Sequence, residues 1–372
     1  MPFPPYPPVP SPSTWSSGPV LTSSLRSNVT NGVLFLSQRP AFTGLCTGGP
    51  AIPSATNTTL ALDTEVYDTW AGHDPLSANP DRYWCQAPGW YLCEGYMPWA
   101  YTTATQVNFQ VSIGAVTAAG SAVYPGQDHP VDSQRNPGVF GADLIQLSRA
   151  GAIGGAAVDY VTLIAKQSSA GSVSVQSASP NQPRLTLRWV ATGAATSLAI
   201  PANASWVTPP SIVTSTFLNT NIRDTIAFLA NPPILRYTYT PGSATLGSQT
   251  FPAGSKIAMG TATVDNYTAW DGTNNQYVCP VAGVYYVYGQ VGLAGSGSSG
   301  AYAAGISVNG GTTTWGQRVN ANADTGHVVD VAICRRVRVT AGQTISLQGS
   351  QNTGGALALN GDTHLVICWE SS

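Results

Sequence analysis

The sequence predicts an all-β chain of two tandem antiparallel sandwiches, each preceded by a short helical anchor segment. Three observations predict it. Short runs of β-branched and aromatic residues recur, split by Gly, Pro, Asn and Asp, while helical periodicity is scarce. The chain repeats itself in order. One segment at the start of each half breaks the strand pattern.

The anchors repeat first. WSSGPVLTSSLRSNVTNGVLFLSQRPAF begins at Trp15 and WVTPPSIVTSTFLNTNIRDTIAFLANPPIL at Trp206. In the second, Leu218, Ile222, Ile226 and Leu229 recur at steps of four, four and three. That spacing predicts an amphipathic helix, with Thr214 or Ser215 as N-cap and Pro232-Pro233 as the stop. A strand pair repeats next. Cys85 aligns with Cys279, and Gly89-Trp90-Tyr91 with Gly283-Val284-Tyr285. Last, VDYVTLIAKQSSAG from Val158 aligns with VDVAICRRVRVTAG from Val329. On that alignment the span from Cys85 to Ala170 exceeds the span from Cys279 to Ala341 by about 23 residues. The excess is placed in an irregular Gly/Pro-rich insert over 118–155, read as a binding loop or an interface arm.

The strands are of two kinds. In HVVDVAICRRVRV, Val329, Val331, Ile333, Val337 and Val339 share one face, interrupted by Arg335. Asp330, Arg336 and Arg338 take the other, as in a half-exposed strand. VYYVYGQVGL and THLVICW are apolar on both faces, and WYLCEGYMPW and RLTLRWV tend the same way. One face fills a core, and the second needs cover from something else. Copies of the same chain are the expected cover, with Tyr286, Tyr288, Val366, Cys368, Tyr91 and Tyr285 as interface candidates.

Composition narrows the function. The chain has 372 residues, and only 9% are charged, far below the roughly 25% of average soluble proteins. A surface so poor in charge suits life inside an assembly. Net charge is −2 and the only lysines are Lys166 and Lys256, so nucleic acid is not an expected partner. No apolar stretch reaches membrane-span length, and MPFPPYPPVPSPSTW lacks the features of a secretory signal. The Pro run of that segment, including Pro4, Pro5, Pro7 and Pro8, predicts an extended arm.

No catalytic constellation emerges, so no enzyme activity, cofactor or metal is expected. His73, His129, His327 and His364 are scattered singly. Asp128, His129 and Asp132 lie close enough in sequence to meet a metal, but read better as a polar loop. Asp68, Asp74, Asp81 and Asp271 sit in turns, where Asp bonds the backbone. None of the six cysteines forms a C-x-x-C pair. Cys85 with Cys93, and Cys334 with Cys368, stay open as cross-strand pairs against the simpler reading of buried thiols. Trp90, Trp99 and Trp315 are glycan-contact candidates because indole stacks on flat apolar sugar faces.

Tyr277, Cys279, Pro280, Gly283, Tyr285 and Tyr286, with the Ala341-Gly342 turn and the final Leu365–Trp369 strand, make a pattern that resembles the tumour-necrosis-factor/complement C1q jelly roll. The resemblance covers 236–372 well and 43–200 more weakly, since Gln86-Ala87-Pro88 replaces Pro280-Val281-Ala282. It implies two TNF/C1q-like jelly rolls and a homotrimer. The anchor pattern over 212–233 resembles a segment of tailed-phage tail and fibre proteins, and implies a structural virion protein.

The expected layout is then a proline-rich arm over 1–14, an anchor over 15–42 and a first jelly roll over 43–200. A linker with the second anchor over 201–235 leads to a second jelly roll over 236–372. Pro4, Pro5, Pro7, Pro8, Trp15, Leu218, Ile222 and Phe228 are the virion-anchoring candidates. A minor tail or fibre-like role with other virion proteins as partners is the leading expectation. A capsid decoration or head-fibre protein, and an adhesin for host cell-wall glycan, are the alternatives.

Overall fold

Eight main strands recur twice in the same order. The computed structural model describes residues 23–100, 107–131, 138–193, 222–240, 244–251, 253–294, 299–316, 319–322 and 328–372. The first unit contains β1 (Ala41–Leu45), β2 (Thr64–Asp68), β3 (Gly89–Pro98), β4 (Val107–Thr117), β5 (Gly120–Val131), β6 (Gly138–Leu147), β7 (Tyr160–Gln167) and β8 (Arg184–Ala191). The second contains β9 (Ile234–Thr238), β10 (Thr261–Asp265), β11 (Gly283–Leu293), β12 (Ser299–Val308), β13 (Val319–Asn322), β14 (Val329–Val339), β15 (Thr344–Gln351) and β16 (His364–Ser371).

In the first unit one sheet runs β2-β1-β8-β3-β6 and the facing sheet runs β7-β4-β5. The second unit repeats this as β10-β9-β16-β11-β14 opposite β15-β12-β13. All the paired strands among these are antiparallel. The chain wraps from sheet to sheet as a jelly roll, and it does so twice. The expected fold class is the observed one.

Each core is built the same way. Phe42, Tyr91, Phe109, Ile113, Leu163 and Leu187 fill the first; Leu235, Tyr285, Tyr302, Ile306, Leu347 and Ile367 fill the second. The phenols of the two core tyrosines find carbonyls: Tyr91 donates to Ala87 O at 2.7 Å and Tyr285 to Val281 O at 2.8 Å. Gly89 and Gly283 hold the same place with φ of +152° and +151°. A Cβ there would strike the Trp189 or the Trp369 indole, so close packing as well as φ demands glycine.

The insert expected over 118–155 is not present as an insert. Gln167 and Gln351 occupy one position: each carboxamide donates to two carbonyls, Ile52 O and Gly171 O in one unit, Leu246 O and Gly355 O in the other. So β7 matches β15, and β14 matches β6. The alignment of Val158-Asp159 with Val329-Asp330 therefore paired two different strands that share a composition. The extra length of the first unit lies mainly in Ser148–Asp159, where the second has only Thr340–Gln343. Most of 118–155 is the β5 and β6 strands themselves.

Both anchors contribute helix. α1 spans Ser23–Ser37 and α2 spans Asp224–Ala230, shorter than three turns within the described residues. They lie side by side. Phe35 of α1 is fully buried, edge-on to Trp70 and Trp189. The α2 end is tied down by Arg39 Nη2 donating to Leu229 O and Thr192 N to Ala230 O, each 3.0 Å.

No disulfide forms. Five cysteines are buried and Cys334 is exposed. Burial pushes the Cys85, Cys279 and Cys368 thiols up to about 12, which makes them poor nucleophiles. A thiol-reactive dye is therefore expected to label one cysteine per native chain and six after denaturation. Rapid native labelling of three or more would contradict this burial pattern.

Candidate functional site

The outer apolar faces meet each other inside one chain. Trp90, Leu92, Ala142, Leu144 and Val190 of the first jelly roll pack against Ile234, Tyr286, Tyr288, Val366 and Cys368 of the second. Phe140 sits edge-on to the Tyr288 ring at 5.6 Å. The strands greasy on both sides are thus shielded, and the cover is the other half of the same chain, not a sister chain. Of the six interface candidates, Tyr286, Tyr288, Val366 and Cys368 lie in this joint. Tyr91 and Tyr285 do not: their side chains face the cores of their own sandwiches.

The outward sides of β3, β6 and β8 of the first jelly roll meet the outward sides of β9, β11, β14 and β16 of the second, and β5 lies alongside β14. Asp143 on β6 takes the Arg236 guanidinium of β9, with Arg236 Nη2 2.8 Å from Asp143 Oδ2 and Nε bonded to Oδ1. Arg236 also lies over the Tyr124 ring at 5.3 Å. Burial works against the Arg236 charge, but the Asp143 carboxylate outweighs it and holds the guanidinium above its usual pKa. His364 Nε2 lies 3.2 Å from Ala142 O, and Gln290 Nε2 donates to Gly126 O at 3.2 Å. Tyr288 completes the set by donating to Gln290 Oε1 at 2.7 Å.

A second polar cluster closes the far side. Tyr286 donates to Glu94 Oε1 at 2.8 Å, Arg188 is bonded to Glu370, and Arg336 Nε donates to Glu370 Oε2 at 2.7 Å. Burial alone would raise the Glu370 carboxyl, yet Arg336 and Arg188 hold it below its usual value near 4.5. Its folded pKa is lowered, so its contribution is complete above about 4.5 and disappears as pH falls through the folded value. Thermal melts are expected to show an acid loss below pH about 4.5 that is smaller in Glu370→Gln. An identical loss in both proteins would exclude this carboxylate as a source.

The other candidates are placed as follows. Trp99 is fully buried against Phe109 at 4.6 Å, and Trp90 is 7% exposed within the joint. Neither indole face is open to a sugar, which corrects both assignments. Trp315 is half-buried beside Phe251 at 5.4 Å and is the one of the three left at the surface. Phe228 is 5% exposed and edge-on to Trp369, so its anchoring face is covered by its own chain. Ile222 is half-buried at the start of the α2 segment. Pro4, Pro5, Pro7, Pro8, Trp15, Leu218, His327 and Asp132 lie outside the described residues, as do the side chains of Asp128 and His129. No metal-holding cluster occurs among the described residues. Sequence reasoning missed Asp143 and Arg236, which no spacing links.

No family model matches the sequence, and no curated protein matches it. Similar solved structures include the globular domain of zebrafish complement 1qA protein, at 12% identity over 36% of this chain and 93% of that one, with a TM-score of 0.27. Murine APRIL at pH 5.0 matches at 10% identity over 37% of this chain and 98% of that one, with a TM-score of 0.28. Murine APRIL at pH 8.0 matches at 12% identity over the same shares, with a TM-score of 0.27.

Proposed function

We propose that this protein is a non-enzymatic structural component of a tailed-phage particle, a minor tail or fibre-like protein. Its two jelly rolls act as one rigid block, and its anchor region attaches that block to neighbouring virion proteins. The observation that carries the reading is the joint itself. Two folding units are welded by a buried apolar patch and desolvated ion pairs, which is the architecture of a load-bearing spacer more than of a hinged enzyme. The phage-like anchor pattern and the scarcity of surface charge support it. So does α1, which buries Phe35 yet leaves Val33 53% and Leu34 44% exposed at the surface of the block. Those two side chains are the described part of the anchor region best placed to meet a partner.

Trimerisation was expected on the ground that the outer faces needed sister chains, and the chain meets that need alone. Assembly with copies then falls to surfaces the joint leaves open. Attachment to host glycan rests on Trp315.

The test is to purify particles by density from a lysate of the host carrying this gene, then probe them by immunoblot and gold labelling. The reading expects the protein to band with the particles and to label one fixed position on them. Protein that stays entirely in the soluble fraction while the major particle proteins band would overturn it.

A further inference from the structure

The outer side of the β7-β4-β5 sheet carries a groove of about 240 Å³, lined by the first jelly roll alone. Gly114 of β4 lies on its floor, with Thr162 and Ile164 of β7 on one side and Val123 of β5 on the other. A Cβ at Gly114 would stand 2.6 Å from Thr162 Oγ1 and 2.7 Å from Ile164 Cδ1, so the missing side chain opens the groove. We propose that this groove binds a neutral saccharide, with one pyranose ring seated over Gly114.

The polar groups around it are held in place but left unused. The short strand Arg82–Trp84 runs beside β7. The Arg82 guanidinium lies over the Tyr160 ring at 4.4 Å and the Trp84 ring at 5.6 Å, and those rings are 4.9 Å apart. Stacking fixes the guanidinium without consuming its donors. Its Nε is 3.7 Å from Asp81 Oδ2, too far for a hydrogen bond. Neither of these two side chains makes a hydrogen bond among the described residues. Thr162 is 5% exposed, and its hydroxyl has no partner among them either. A buried hydroxyl left unpaired is costly, and a ligand oxygen that meets it removes the cost.

The second jelly roll shows that the fold does not require this arrangement. With Gln167 matching Gln351, Thr162 matches Ser346 and Tyr160 matches Thr344. Trp84 pairs with Tyr160 as Val278 pairs with Thr344, so Arg82 holds the place of Gln276. Gly114 pairs with Thr162 as Ser307 pairs with Ser346. In the second unit every one of these polar side chains is satisfied from within. Gln276 donates to Asp271 and accepts from Lys256, Ser346 accepts from Gln348, and Ser307 donates to Gly311 O. The first unit keeps the same strands and puts an aromatic-backed arginine, an unpaired threonine and a glycine in those places.

The chemistry of the groove selects the ligand. Arg82 and Asp81 cancel in charge, so neither an anion nor a cation is favoured. Side by side they offer donors and acceptors, which suits a pair of neighbouring hydroxyls. Ile164, Val116, Val123 and the Tyr160 ring supply apolar surface for the C–H side of a sugar. The volume falls just short of the roughly 300 Å³ at which drug-sized sites begin, enough for one ring. The groove is separate from Trp315, which belongs to the second jelly roll. The inference concerns the isolated chain and does not rest on the particle reading, so its failure would leave that reading standing.

The test screens the full chain against neutral oligosaccharides of glucose, galactose, mannose, N-acetylglucosamine and N-acetylgalactosamine, with hexuronate glycans alongside. Hits are titrated by calorimetry. At least one neutral glycan is expected to bind, and more tightly than the hexuronates. Arg82→Gln is expected to weaken it at least about tenfold, the loss of a hydrogen bond from a charged donor. Thr162→Val is expected to weaken it about three- to tenfold without lowering the melting temperature, since the hydroxyl has no partner in the fold to lose. No neutral glycan bound, or tighter binding of the hexuronates, overturns the proposal. So does binding that survives both substitutions, or is lost only in Trp315→Ala. A lowered melting temperature in Thr162→Val also overturns it, because the hydroxyl would then be spent inside the fold.

Discussion

Tyr288→Ala is expected to destabilise the protein by about 3–5 kcal/mol, the cost of emptying a buried aromatic site. The side chain is fully buried, touches Phe140 of the other jelly roll and holds Gln290 in place to reach Gly126 O. Its loss therefore opens a cavity at the joint and releases a cross-unit hydrogen bond together. Tyr288→Phe keeps the ring but loses the hydroxyl's bonds to Gln290 Oε1 and to the Ala142 backbone, so it is expected to cost about 1–3 kcal/mol. Urea melts followed by far-ultraviolet circular dichroism check both. A loss below about 1 kcal/mol for the alanine variant would mean that Tyr288 is not packed as described.

Asp143→Ala is the second large effect. It leaves the Arg236 guanidinium, 13% exposed in its side chain, without its carboxylate. Removing one partner of a buried pair costs about 3–5 kcal/mol because the other charge stays desolvated. Replacing both, Asp143→Leu with Arg236→Met, removes the stranded charge and is expected to recover most of that loss. Calorimetry reads both variants. The native joint is also expected to make the two jelly rolls melt as one unit, and Asp143→Ala to separate them into two transitions. Two transitions already present in the unaltered protein would contradict the welded block.

Much of the fold was legible because its signals are local. The Cys85/Cys279 and Gly89/Gly283 repeats mark the same strand, and Gly is demanded there by φ and by the Trp189 and Trp369 indoles. Continuous apolar runs such as Val284–Leu293 announced a sheet covered on both sides. The same runs hid which residue faces which way. In Val-Tyr-Tyr-Val-Tyr no alternation tells core from outer face, so Tyr285 was placed outward although its phenol bonds Val281 O inside its own sandwich. A register irregularity between Val284 and Tyr285 blurs the parity further.

What covers the outer faces was not legible at all. Composition says only that cover is required. The identity of the cover depends on Asp143 meeting Arg236, 93 positions away, and no pattern of spacing encodes such a meeting. The misplaced insert has the same origin. Val158-Asp159 and Val329-Asp330 look alike in sequence, and only strand pairing separates β7 from β14. Trp99 shows the limit for sites: an indole fit for a sugar and one fit for a core are the same residue until burial is known.

The most direct measurement of the account is a double-mutant cycle on Asp143 and Arg236, using Asp143→Ala, Arg236→Ala and the pair together. Residues that touch across the joint are expected to couple by about 1.5–3 kcal/mol. Effects that simply add, within about 0.5 kcal/mol, would show that the two jelly rolls do not meet there and would contradict the account.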